Sequence, residues 1–80
     1  MAKQTILVVD DEAKLVEVVR AYLERDGYHV VSAADGREVL MQFRQVRPDL
    51  IILDVMLPEI DGLEVCRRIR QESSVPIIIC

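Results

Sequence analysis

The stretch 49-DLIILDVMLPEIDG-62 decides the fold. Leu50 to Leu53 show no polar alternation, the pattern of a strand covered on both faces, as in parallel sheets. Asp54 then ends the apolar run with a carboxylate. Asp61 and Gly62 form a turn pair that can cap a helix running through Val65, Cys66 and Ile69, with Arg67, Arg68 and Arg70 largely outward. A counterpart lies near the start of the chain. The β-branched-rich run 5-TILVV-9 reads as a strand and closes on Asp10, Asp11 and Glu12. Two apolar runs therefore end in acid, and the order of the elements between them says why.

From Ala13 the hydrophobic period changes from that of a strand to that of a helix. Leu15, Val18, Val19, Tyr22 and Leu23 make one apolar stripe, opposed by Glu17, Arg20, Glu24 and Arg25, and Gly27 supplies a stop. His29 to Ala33 reads as a second strand. Asp35-Gly36 opens a second helix with Val39, Leu40, Phe43 and Val46 on one face. Pro48 forces Arg47 out of helical geometry and ends it. The third strand is expected over 49–53. After the third helix, Val75 must be extended before Pro76, and 76-PIIIC-80 is a fourth buried-type strand. The order β-α-β-α-β-α-β implies parallel strands, right-handed crossovers and helices on both faces.

Composition sets outer limits. Eighty residues make one small domain, 51% hydrophobic and 30% charged, with ten basic and fourteen acidic residues for a net charge of −4. That balance argues against a nucleic-acid or anionic-membrane surface. No apolar run nears the roughly 20 residues that span a bilayer. The start lacks a cleavage-site pattern for secretion. Cys66 and Cys80 lack metal or disulfide spacing, so a reducing, cytoplasmic setting is expected.

In a parallel sheet the carboxyl ends of all strands share one edge, and ligands bind there at the switch in winding direction. Asp10 and Asp11 leave the first strand at that edge and Asp54 leaves the third. With the first and third strands adjacent, three carboxylates converge. Like charges a few ångströms apart repel by about 4 kcal/mol per pair at an effective dielectric of 20. Protonation or a cation must relieve that repulsion. Oxygen-only donors suit a hard ion, and Mg²⁺ fits best. A carboxylate beside such an ion can act as a nucleophile toward phosphorus. The plainer alternative is that each acid forms a turn or caps a helix, with Asp10-Asp11 capping the first one.

"ILVVDDE", "PDLIILDVMLPEIDGLEVCRRIR" and "VPIII" resemble, in order and spacing, the receiver domain of bacterial two-component response regulators, most closely those attached to winged-helix DNA-binding domains. The resemblance covers essentially the whole chain. It implies a flavodoxin-like doubly wound parallel sheet with strand order 2-1-3-4. It also implies that Asp54 accepts a phosphoryl group from a phosphohistidine of a sensor histidine kinase. By the same resemblance Asp11 binds Mg²⁺ directly, Asp10 acts through coordinated water, and Met56 contributes its backbone carbonyl. Pro58, Asp61 and Gly62 would shape the bordering loop.

The family's domain has five strands and five helices, so residues 1–80 are expected to be its N-terminal part. The fourth helix, fifth strand and fifth helix would be lacking, and with them a Ser or Thr after the fourth strand and a Lys after the fifth. Ser73 and Ser74 would sit at the wrong edge to substitute, and Lys3 and Lys14 match no motif. One face of the third and fourth strands would be bare, and the fourth strand would be a hydrophobic edge. A homo-oligomer is expected on that ground, without direct nucleic-acid or membrane contact. Tyr22, Phe43 and Cys66 read as core, and His29 as a strand-start residue rather than a phosphate relay. Two rival functions remain: a phosphorylation-independent interaction fragment, and an aspartyl-nucleophile hydrolase. Met56 argues against the hydrolase, because that chemistry usually wants an acid two residues after the nucleophile.

Overall fold

Every apolar run forms a strand and every 3.6-residue stripe a helix. The computed structural model describes residues 3–55, 57 and 60–79. Its elements are β1 (Thr5–Val9), α1 (Ala13–Arg25), β2 (His29–Ala33), α2 (Gly36–Val46), β3 (Leu50–Leu53), α3 (Gly62–Arg70) and β4 (Ile77–Ile79). The four strands are parallel in the order β2-β1-β3-β4, which is the expected 2-1-3-4 arrangement. Met56, Pro58 and Cys80 lie outside the described residues.

Alternation along the strands divides the core in two. Leu7, Val9, Ala33, Ile51 and Leu53 face α2 and α3, meeting Val39, Leu40, Phe43, Val65 and Ile69. Ile6, Val8 and Val30 face α1 and meet Val16. Burying each such side chain contributes roughly 1.5–3 kcal/mol, so the two faces together hold the sheet.

Local signals set the ends of α2 and the register of β3. Asp35 caps α2 by accepting from the Glu38 amide at 2.8 Å, and the Glu38 carboxylate accepts from the Ala34 amide at 2.9 Å. This reciprocal arrangement satisfies two amides at once. At the other end Arg47 is left-handed (φ 47°), so Pro48 follows a chain already out of the helix. The third strand begins at Leu50 rather than at Asp49, because Asp49 is used as a clamp. Its amide donates to the Thr5 carbonyl at 2.8 Å, and its carboxylate accepts from the Thr5 amide at 2.8 Å.

The first helix departs from expectation. Val16 is its buried residue and Val19 and Leu23 are half-buried, whereas Leu15, Val18 and Tyr22 are exposed, Tyr22 at 64%. Tyr22 is therefore not core. The reason is Arg20, whose guanidinium reaches β2 and donates to the Val30 carbonyl at 3.0 Å and the Ser32 hydroxyl at 3.1 Å. At about 100° per residue, Leu15, Val18 and Tyr22 fall on the flank opposite Arg20, away from β2.

The sheet is unevenly covered, as expected. On the α1 face Leu50 and Ile52 are half-buried and Ile78 is 52% exposed. On the other face Ile77 packs against the core, but Ile79 remains 47% exposed. The tip of β4 is thus open on both sides.

Candidate functional site

Parallel pairing sets the carboxyl ends of β1 and β3 side by side, with Val9 and Leu53 as register partners. Asp10 and Asp54 are the next residues outward. The ladder continues for one residue beyond each strand. The Asp54 amide donates to the Val9 carbonyl at 2.9 Å, and the Asp10 amide donates to the Ala33 carbonyl at 3.2 Å. Both acids therefore leave the sheet from backbone held by its neighbours.

The result is convergence. Asp10, Asp11 and Asp54 each offer a carboxylate oxygen, and these atoms all lie within 4.8 Å of one another. Asp10 and Asp54 are half-buried and Asp11 is exposed. At such distances each charged pair repels by roughly 3–4 kcal/mol at an effective dielectric of 20. The donor set is oxygen only, partly shielded and open on one side. That combination fits Mg²⁺, which takes a few carboxylate ligands and retains waters.

Helix capping does not account for these acids. The N-cap of α1 is Glu12, and no side chain caps that helix. Asp10 spends one oxygen on the Glu12 amide at 2.9 Å, a local turn that steadies its carboxylate.

The bordering loop is held by Asp61 and Gly62. The Asp61 carboxylate accepts from the Leu63 amide at 2.9 Å, and the Gly62 amide donates to the Val55 carbonyl at 3.0 Å. A Cβ at position 62 would stand 2.7 Å from the Asp54 carbonyl oxygen. Glycine lets α3 begin directly against the backbone of Asp54. The Met56 carbonyl and Pro58, the other expected contributors, lie outside the described residues.

Sequence reasoning missed one neighbour. Arg20 lines a cleft of about 200 Å³ together with Asp10, Asp11, Ser32 and Glu38. Its guanidinium is committed to β2, so it borders the acids while serving the scaffold. A larger cleft of about 460 Å³ lies at the opposite rim, walled by Phe43, Arg44, Pro48 and Ser73. It contains none of the three clustered acids, and Arg44 is held there by Glu72 at 2.7 Å. Ser73 is thus at the rim away from Asp54, as expected. The arginines of α3 are exposed, and Arg67 and Arg68 both bond Glu64, holding its carboxyl down at about 2. Cys66 is half-buried beside the core, and burial pushes its thiol up. Among the described residues no helix is long and apolar enough to cross a membrane.

Comparison with known proteins agrees with this arrangement. The family described as response regulator receiver domain matches residues 6–80. The alkaline phosphatase synthesis transcriptional regulatory protein PhoP of Bacillus subtilis is 51% identical over 75 residues, covering 92% of this chain and 31% of that protein. The chain spans about a third of the length of the curated relatives it matches. A putative response regulator from Chloroflexus aurantiacus superposes with a TM-score of 0.92 at 40% identity, over 98% of this chain and 66% of that one. The response regulator TrrA of Thermotoga maritima, solved in complex with Mg(2+)-BeF, gives 0.88 at 40% identity, over 95% and 67%.

Proposed function

This chain belongs to the response regulator receiver domain family, and we propose that Asp54 is its phosphoryl acceptor, supplied by a phosphohistidine of a sensor histidine kinase. The observation that carries the reading is the meeting of the Asp10, Asp11 and Asp54 carboxylates within 4.8 Å at the carboxyl edge of the sheet. Asp11 would hold Mg²⁺ directly beside Asp54 and Asp10 would act through a coordinated water, while the expected Met56 carbonyl lies outside the described residues. Bound there, Mg²⁺ supplies positive charge to the phosphoryl oxygens.

The chain's own residues do the rest. A carboxylate oxygen of Asp54 forms the new bond to phosphorus while the bond from phosphorus to the imidazole nitrogen breaks. The electron pair leaves with the imidazole. The hydrogen bond that the Asp54 amide donates to the Val9 carbonyl keeps the attacking residue from retreating as the new bond forms. Asp54 is consumed and later regenerated by hydrolysis, so the domain is a phosphorylated carrier rather than an enzyme turning over a free substrate.

We read residues 1–80 as the N-terminal part of such a domain, from a cytoplasmic regulator of transcription. TrrA was solved with Mg(2+)-BeF and PhoP is a transcriptional regulatory protein. The alternative is a phosphorylation-independent interaction fragment. Treating the protein with acetyl phosphate and Mg²⁺, then weighing it, separates the two. One added phosphoryl group on Asp54 is expected, and its absence under conditions that label a complete receiver overturns the acceptor reading.

A second copy of the chain is the proposed partner of the open β4. Ile78 and Ile79 are each about half exposed on opposite faces of that strand, and Leu15, Val18 and Tyr22 add an apolar flank on α1. Edge pairing of two β4 strands would satisfy the open backbone edge and set each exposed isoleucine beside the second copy's strand.

A further inference from the structure

A second glycine is packed against the loop beside the acceptor. Gly36 is the buried first residue of α2, and a Cβ placed on it would stand 2.5 Å from Ile60 Cβ and 3.4 Å from Ile60 Cα. Real Cβ atoms essentially never approach so closely, so α2 meets the β3–α3 loop at its backbone. Two residues beyond Ile60, Gly62 makes the same kind of contact with Asp54 and Val55, its virtual Cβ lying 2.7 Å from the Asp54 carbonyl oxygen and 2.7 Å from Val55 Cα. The Gly62 amide also bonds the Val55 carbonyl. From α2 to the acceptor the link runs by close approach from Gly36 to Ile60, along the chain to Gly62, and by close approach to Asp54.

Each end of that series is anchored. The start of α2 is fixed by the reciprocal Asp35 and Glu38 cap. Ile60 packs as a half-buried side chain against the main core cluster. Asp54 is tied to β1 through Val9. A Cβ on residue 36 would press on Ile60 Cβ and Cα from a helix start held by its cap. The loop that carries Ile60 leads through Gly62 to the backbone of Asp54.

We propose that Gly36 is a positioning residue for the acceptor site: its missing side chain seats Ile60, and that seat aims Asp54 toward Asp10 and Asp11. The proposal rests on the acceptor reading for its functional meaning, while the contact itself can be tested without ligand. The consequence is specific. Enlarging residue 36 damages the site, and removing the side chain it strikes repairs it.

The test compares Gly36→Ala, Ile60→Gly and the double variant, with Gly27→Ala as a control. Gly27 has φ 95° and no atom within 4 Å of a virtual Cβ, so its replacement strains the α1–β2 turn without touching the loop. The first readout is the backbone amide NMR signals of Asp54, Val55 and Gly62 in the apo protein. The second is Mg²⁺ affinity by titration of the same signals. Gly36→Ala is expected to displace the three signals and weaken Mg²⁺ about tenfold, in the range typical of residues that support metal ligands. The double variant is expected to return both readouts to those of Ile60→Gly, and Gly27→Ala to leave them in place.

A folded Gly36→Ala protein with unmoved Asp54 signals overturns the proposal. So does an effect that Ile60→Gly fails to reverse, including failure to fold in both Gly36→Ala proteins. Should Gly36→Ala alone fail to fold, recovery in the double variant supports the steric seat. A native chain that ignores Mg²⁺ while showing displacement and rescue overturns the acceptor reading and leaves the seat standing.

Discussion

The amide of Asp54 donates to the carbonyl of Val9 at 2.9 Å, one residue before Asp10. Through that bond the tip of β3 is carried by β1, and acids 44 residues apart in the chain become neighbours. The expected effects of substitution follow from which part of this arrangement each residue serves.

Asp54→Asn removes the proposed nucleophile and keeps the shape. The bond to Val9 uses the main chain, so circular dichroism is expected to match the native protein while acetyl phosphate leaves no adduct. Asp11→Asn removes a charged group from the proposed Mg²⁺ site instead. Its Mg²⁺ affinity is expected to fall by more than the roughly tenfold typical of a supporting group, as read by titration.

Arg20→Met keeps much of the aliphatic stem over β2 but loses the bonds to the Val30 carbonyl and the Ser32 hydroxyl. A loss of about 1–2 kcal/mol is expected from the urea midpoint at constant slope. The exposed contact with Glu24 at 3.7 Å contributes little to this.

Glu64 gives a pH signature. Arg67 and Arg68 hold its carboxyl at about 2 in the folded protein, below its ordinary 4.5. Folding therefore favours the ionised form. Its contribution is complete above about 4.5 and disappears as the pH falls through about 2. Amide protection in α3, taken relative to the intrinsic exchange rate at each pH, is expected to fall over that interval in the native protein and to fall less in Glu64→Gln. Added salt should shrink the difference, because the group is exposed.

Ile78→Lys places a charge on the open edge strand. Sedimentation at matched concentration is expected to show less self-association than the native chain, since an edge lysine opposes strand pairing. Asp54→Asn is expected to leave assembly unchanged. A native chain that sediments as a folded monomer at micromolar concentration would remove the second-copy proposal.

The sheet was legible in the sequence because its signals are local. Unbroken apolar runs in β1 and β3, a change of period at Ala13 and the break at Pro48 each stand on a few neighbouring residues. The acid cluster followed from topology, since parallel strands bring Asp10 and Asp54 to one edge however the helices lie. The buried side of α1 was not legible. Its apolar residues include Leu15, Val16, Val18, Val19, Tyr22 and Leu23, an arc too wide for a single stripe. Only the reach of Arg20 to β2 selects Val16 as the centre. The seat of Ile60 on Gly36 was equally hidden, because it joins residues 24 apart through packing that leaves no pattern in the chain.

The clamp between Asp49 and Thr5 acts as a ruler for chemistry at the far rim. Strands rise about 3.3 Å per residue, and a slip of one residue also turns a side chain to the opposite face. If β3 shifted by one place against β1, Asp54 would be displaced by about 3.3 Å from the other acids and point the wrong way. Two hydrogen bonds at residue 49 oppose that slip, so alignment of the proposed acceptor is set where its strand begins.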